Sequence, residues 1–257
     1  MYKRKFNSSL LIVLAFSGTL FLTSCQGQKS KQKPITKEEA ARNAIGKLTT
    51  NLTFDVTDTA KTEPVSIIIR STYTGSYAAE LRKDLKKYGL ENTELTFFND
   101  MTTYYNDAKT VEPIKIEDNK NTNAIEVTET YATRDFWAQQ EVKPYKHFRY
   151  FYGSLIQEYF RNFEIHGTED LTLRHPANVE QNFFINLPFA TTAKDKNIKY
   201  STNYQHFEFS SSRKGNNIEL HYAYHTLKDR IQKNEVAEYI KNAKEIYQIL
   251  NFKVMEQ

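Results

Sequence analysis

The apolar positions change period several times along the chain, and each change marks an element. Leu52, Phe54 and Val56 alternate with polar residues, the two-residue period of a strand with one buried face. Val65–Tyr73 is rich in β-branched residues and predicts the hairpin partner. Gly75-Ser76 turns the chain, after which Ala78, Leu81, Leu85 and Tyr88 follow the 3.6-residue period of a helix that Gly89 stops. Leu95, Phe98, Met101 and Tyr105 suggest a second helix, although Leu95–Phe98 also fits a strand. Thr110–Ile116 and Asn123–Tyr131 form a further β pair, turned by Asp118-Asn119-Lys120-Asn121. Upstream of all these, Thr36 and Glu39 form a capping box that opens a short helix over Lys37–Lys47.

The second half repeats the alternation of strands and helices. Tyr145–Tyr152 and the helix-like Ser154–Phe163 fall between two modules. Strands follow at Asn182–Leu187, Tyr200–Phe209 and Ile218–Tyr224, with Gly215-Asn216-Asn217 as a hairpin turn. Val236, Tyr239, Ile240, Ala243, Ile246, Tyr247 and Leu250 then make one apolar stripe, with Asn234 as N-cap and Glu235 and Glu238 at the positive end of the helix dipole. The expected fold is α+β, with two β-rich modules (antiparallel sheets or sandwiches), each carrying helices, and an amphipathic helix at the C-terminus. The expected boundaries are 1–24, 25–35, 36–144 and 145–257.

The first of these segments is not part of the fold. A basic stretch with Lys3, Arg4 and Lys5 precedes an apolar run, Leu10–Leu22, too short to span a bilayer comfortably. The run ends in Leu22-Thr23-Ser24-Cys25, which resembles the lipobox of bacterial lipoproteins. That resemblance implies cleavage before Cys25, a thioether-linked lipid on its sulfur and an acylated amino terminus, which exceeds the two-signal requirement for stable anchoring. Cys25 is the only cysteine, so a disulfide framework and a cysteine-rich zinc site are excluded. The polar, cationic Gln26–Lys33 reads as a tether. Gln26 rather than Asp after the cysteine, with no acidic cluster following, implies an outer-membrane anchor facing the periplasm.

Charge changes the picture only once the leader is set aside. The chain carries 35 basic and 31 acidic residues. Lys3, Arg4 and Lys5, then Lys29, Lys31 and Lys33, lie in the leader and tether, so the body has 29 basic against 31 acidic residues. No broad basic field is left to bind nucleic acid.

The order of elements resembles the β-rich region of unknown function that follows a transglutaminase-like core in secreted Gram-negative proteins. The residues that carry it are Tyr73-Thr74-Gly75 leading into Ala78-Ala79-Glu80-Leu81-Arg82-Lys83-Asp84-Leu85, then Asp135-Phe136-Trp137 and Phe183-Phe184-Ile185-Asn186-Leu187-Pro188. Leu220–Tyr224, Leu227-Lys228-Asp229, Glu235 and Glu238-Tyr239 close it. The likeness covers roughly Leu52–Phe252. It implies accessory modules without the enzyme, because a transglutaminase-type core needs a thiolate with an activating His. Lipidation would consume Cys25, and no other cysteine follows it.

The remaining chemistry is thin. His221 and His225 share one face of a strand about 13 Å apart, too far for one metal ion. His166 and His175 flank Glu169-Asp170 with no third ligand set by spacing. Ser210-Ser211-Ser212 lacks the turn of a nucleophilic serine, and Ser76 at a helix start reads as a cap. Asp195, Glu208 and the other carboxylates show no spacing that argues for acid–base work. No metal or other cofactor is expected. The aromatic cluster of Arg134, Phe136, Trp137, Tyr145, Arg149, Tyr150 and Tyr152 reads either as packing between modules or as a recognition surface. The expectation is therefore a non-enzymatic, lipid-anchored binding or scaffolding protein of the periplasm, with a transglutaminase-like or protease-like protein as partner. The alternatives are an envelope hydrolase or glycan-active enzyme with a non-cysteine site, and a structural envelope protein.

Overall fold

Alternation at Leu48, Leu52 and Phe54 becomes strand β1 (Leu48–Asp55), which turns back antiparallel into β2 (Val65–Thr74). The computed structural model describes residues 45–56, 63–139, 147–160, 169–191 and 193–256. The turn out of β2 brings two glycines together. Gly46 (φ +88°) and Gly75 (φ +59°) lie so close that a Cβ on Gly75 would sit 2.5 Å from the Ile45 carbonyl oxygen. The expected helix after Gly75 is α1 (Ser76–Tyr104), and Gly89 interrupts it as the sequence predicts: its φ of 82° and ψ of 168° break the helix into two arms. The second arm contains Leu95–Phe98, which excludes the strand reading of that segment. Arg82 on the first arm grips the Asp118 carboxylate with Nε and Nη2, at 3.1 and 2.7 Å, and Nη1 donates to Asn123 Oδ1 at 2.6 Å. These bonds fix the arm to the turn between β3 (Lys109–Asn119) and β4 (Ala124–Thr133).

The chain continues through β5 (Ala138–Gln139), β6 (His147–Tyr152), the short α2 (Ser154–Tyr159) and β7 (Leu171–Thr172) to β8 (Asn178–Asn186). The stretch expected as one strand over Tyr200–Phe209 is two, β9 (Lys196–Ser201) and β10 (Gln205–Lys214). Thr202 breaks it by accepting bonds from the Tyr204 and Gln205 amides, a local turn that competes with the ladder. β11 (Asn217–Thr226) pairs with β10 across the expected Gly215 turn.

After β12 (Arg230–Ile231) the C-terminal helix α3 (Val236–Ile249) buries Val236, Tyr239, Ala243 and Ile246, as its stripe predicts. Its start differs from expectation. Asn234 lies inside a 3-10 turn (Lys233–Glu235), and the reciprocal cap is made by Gln232 and Glu235. The helix is not the last element either, since β13 (Asn251–Met255) follows and pairs with β6.

The class is α+β, but the two halves do not have a sheet each. Eight strands form one sheet in the order β3-β4-β2-β1-β8-β11-β10-β9, with four strands from each half. β1 and β8 join the halves in parallel, from Leu48↔Val179 to Asp55↔Asn186, while the other pairs are antiparallel. The sequence shows two well-patterned strand sets but not which edges meet. One face of the sheet is apolar, and Phe54, Ile67, Phe183 and Tyr222 are buried there. Phe151 of β6 packs edge-on against Phe54 (5.2 Å between ring centres) and Phe183 (5.9 Å), so the small β13-β6-β5 sheet helps cover that face. The opposite face is polar. Across its middle Asn182 Nδ2 donates to Asn51 Oδ1 (2.9 Å), and His221 Nδ1 lies 2.7 Å from Asn182 Oδ1. Among the described residues no helix is long and apolar enough to cross a membrane.

Candidate functional site

The apolar face is not apolar throughout. On β1 the inward positions are Leu48, Thr50, Leu52 and Phe54; on β2 they include Ile67, Ile69, Ser71 and Tyr73. On β4 they are Ile125, Val127, Glu129 and Tyr131, and on β8 Val179, Gln181, Phe183 and Ile185. Each strand thus places a polar residue in its apolar phase. Register gathers them: Thr50 stands opposite Ser71 on one side and Gln181 on the other, and Ile69 opposite Glu129. The Thr50 and Ser71 hydroxyls are 3.0 Å apart. Gln181 Oε1 accepts from the Leu155 amide (3.0 Å) and Nε2 donates to Ser154 Oγ (3.3 Å), which seats α2 beside the patch.

Above this patch lies a cavity of about 370 Å³, within the usual range for small-ligand sites, about 300–1,000 Å³. Its floor is the polar patch on the sheet, and its walls are both arms of α1, with α2 and the end of β6. The kink at Gly89 lets one helix wrap two sides. Tyr73, Tyr77, Tyr104, Tyr105, Tyr152 and Tyr159 supply much of the wall, with Leu81, Phe97 and Met101 between them. Tyr104 and Tyr152 pack at 5.4 Å and also border an outer groove lined by Phe148, Arg149 and Tyr150.

Five carboxylates line the same cavity: Glu80 and Asp84 on the first arm of α1, Asp100 on the second, Glu158 on α2 and Glu129 on β4. Among the described residues the only basic side chain in the lining is Arg174, whose guanidinium sits 3.9 Å over the Tyr159 ring. Glu129 is 7% exposed, at the floor. Its carboxyl is pushed up to about 7, above all by burial, and further by the like charge of Asp100; the Tyr131 hydroxyl, which donates to Glu129 Oε2 at 2.7 Å, opposes that rise. Asp100 and Glu158 stand at the rim. Burial raises both; at Glu158 the charge of Asp100 adds to the rise and that of Arg174 opposes it. Burial also pushes the Tyr105 and Tyr159 hydroxyls up to about 12, so these phenols stay neutral near pH 7.

The residues expected from the sequence to form a site do not converge here. Cys25, its neighbours Leu22, Thr23 and Ser24, the tether, the Thr36 capping box, Tyr145 and His166 lie outside the described residues. Phe136 is fully buried, stacked on Tyr105 at 6.0 Å and 7° and packed on Phe54, Phe151 and Trp137. It is core, not recognition surface. Trp137 lies half-buried between Phe136 and Phe189. Arg149 holds its guanidinium 4.2 Å over the Tyr105 ring and donates to the Tyr104 carbonyl. Arg134 is exposed at the end of β4, where its amide donates to Asp107 Oδ2 at 2.8 Å. Tyr150 is exposed on the outer groove, and among the described members of the cluster Tyr152 alone reaches the cavity.

His221 sits on the polar sheet face as expected. His225 packs cross-strand against His206, the rings tilted at 53° with centres 4.6 Å apart, and His175 Nδ1 lies 2.8 Å from Thr226 Oγ1. Ser76 donates to the Ile45 carbonyl at 2.8 Å rather than capping α1. Among the described residues no three of His, Cys, Asp and Glu are placed to hold a metal ion.

Apart from Tyr152, the cavity residues were not picked out from the sequence, yet a signal was there. Thr50, Ser71, Glu129 and Gln181 each break a strand's alternation in the buried phase, and Glu129 does so with a charge. Read with the strand order, those four exceptions define the floor. Searches of family models, curated proteins and solved structures find no match to the chain. The site must therefore be interpreted from its own chemistry.

Proposed function

We propose that this chain is a lipid-anchored protein of the bacterial outer membrane, facing the periplasm, that binds a small ligand in the cavity between the sheet and the kinked helix. The observation that carries the binding reading is the cavity floor, where Thr50, Ser71, Gln181 and Glu129 stand in an otherwise apolar layer. Ser71, Glu129 and Gln181 are buried and Thr50 half-buried, and grouping such polar side chains away from water is unfavourable unless they have partners. Thr50 and Ser71 pair with each other, Gln181 with α2 and Glu129 with Tyr131, and together they form a polar floor under a space large enough for a ligand. The anchor rests on the Leu22–Cys25 motif. The absence of any cysteine after Cys25 supports binding over thiol catalysis, and accords with an accessory role beside a separately encoded transglutaminase-like or protease-like partner.

A second reading, a glycan-active hydrolase, is favoured by one observation. Glu129, held near 7 beside the acidic rim, has the character of a general acid. The two readings separate in one experiment. A small-molecule library, including cell-wall glycan fragments, is screened by thermal shift against the wild type and two cavity-filling variants, Ser71→Leu and Leu155→Trp. Binding predicts hits lost in both variants and recovered chemically unchanged. Products that accumulate with wild type and not with Glu129→Gln favour the hydrolase. Hits that survive both fillings sink the cavity as the site.

A further inference from the structure

We propose that the ligand of this cavity is a linear aliphatic di- or polyamine. The inference rests on the cavity being a binding site and names the chemistry it takes. Among the described residues the lining holds five carboxylates against one guanidinium, which lies over the face of Tyr159 and offsets part of the charge at Glu158. Among the described residues the buried member of the set has no cation beside it. The sole hydrogen-bond partner of Glu129 among the described residues is the neutral Tyr131 hydroxyl. A buried carboxyl without a counter-charge keeps its proton rather than ionise, and an ammonium group at the floor supplies the partner that its ionised form lacks.

The shape of the charge distribution decides which cation. A metal ion needs donors gathered about 2 Å from one centre, and no such group exists among the described residues. The carboxylates instead sit on separate elements: the two arms of α1, α2 and β4. Their partner must carry more than one positive group, spaced apart. Between those carboxylates the walls are leucine, methionine and tyrosine, which suit methylene segments. Tyrosine faces also attract ammonium groups through the ring quadrupole. Separated ammonium groups joined by methylenes satisfy both demands. A single compact cation satisfies one carboxylate and leaves the others facing each other.

The test is calorimetric titration of the full chain, purified in detergent, with four probes: spermidine, putrescine, 1,4-butanediol and magnesium chloride. Spermidine is expected to bind saturably at one site and more tightly than putrescine, with no measurable binding of the diol. The spermidine Kd should rise at least tenfold in Glu129→Gln and in Asp100→Asn. Asp100 is exposed at the rim, so its variant tests the proposal even if the buried substitution unfolds the chain. Glu126→Gln, on the opposite face of β4, should stay within twofold of wild type. Equal binding of butanediol and putrescine, or tighter binding of magnesium than of spermidine, overturns the polyamine. So does spermidine binding that neither Glu129→Gln nor Asp100→Asn weakens, or the absence of spermidine binding altogether. In each of these cases library hits lost in Ser71→Leu and Leu155→Trp would leave the cavity standing as a binding site. Hits that survive both fillings would remove the two readings together.

Discussion

Replacing Glu129 by glutamine should stabilise the protein, increasingly so as the pH rises from 4.5 to 7. The ordinary value for this carboxyl is 4.5, and in the folded chain it lies near 7. At roughly 1.4 kcal/mol per tenfold change in an equilibrium, ionising Glu129 costs on the order of 3 kcal/mol more in the folded state than in the unfolded one. Below pH 4.5 the group is protonated in both states and contributes nothing. Between 4.5 and 7 the folded chain keeps a proton that the unfolded chain has released, so stability falls as pH rises. Above 7 the loss is complete. Glutamine is nearly isosteric, retains an acceptor for the Tyr131 hydroxyl and never ionises. Solvent screening through the exposed rim reduces the penalty, so the expected gain is about 1–3 kcal/mol at pH 8, with little difference at pH 4.5. Urea unfolding of the 34–257 fragment at pH 4.5, 6 and 8, followed by tryptophan fluorescence, measures it. A variant that is less stable than wild type at pH 8, or whose difference is the same at all three values, refutes the reasoning.

The other predictions address packing, backbone and anchor. Phe136→Ala should cost about 3–5 kcal/mol, as expected for removing a buried aromatic, whereas Tyr150→Ala on the outer groove should fall within about 0.5 kcal/mol of wild type. Equal effects in urea unfolding would contradict the assignment of Phe136 to the core. Gly75→Ala forces a Cβ to 2.5 Å from the Ile45 carbonyl at a positive φ, and a loss of at least about 2 kcal/mol is expected; an unchanged unfolding midpoint would count against that close contact. Cys25→Ser should abolish incorporation of labelled fatty acid and move the protein from the membrane to the soluble fraction. Membrane retention of the variant, with no label on the wild type, would remove the anchor from the account.

Periodicity reveals what lies within one element and says little about which elements meet. The hairpin at β1 and β2, the break at Gly89, the turn at Gly215 and the stripe of α3 are all local, and each is legible in a few consecutive residues. The β1–β8 pair is not. Leu48 and Val179 carry no mark that they are partners, and two strand sets of similar length look like two sheets until the pairing is known. β13 escapes for another reason. Phe252 and Val254 give only two inward positions, too few to show a period. The site was hidden by the same gap. Glu129 looks like one more charge in a polar stretch until Ile125, Val127 and Tyr131 fix its phase, and its neighbours Thr50, Ser71 and Gln181 come from three other strands. On the other side, the aromatic residues drew notice as a group because they are dense in sequence, and Phe136 shows that density often means core.

The parallel joint between β1 and β8 also shapes how the chain reaches its fold. Leu48 must find Val179, closing a loop of ~130 residues, and non-local pairings of this kind slow folding. A chain that emerges from its N-terminus first completes β1, β2, β3 and β4 long before β8 exists. During that interval β1 is an edge strand, and its eight residues present unpaired amides and carbonyls to whatever passes. The strand most able to fill the vacancy is the β8 of a neighbouring copy, which has the right sequence and the right register. Exchange of that strand would give an intertwined dimer with every ladder satisfied and the same native contacts. The choice between a monomer and such a dimer is then set by timing and local concentration rather than by the stability of the fold.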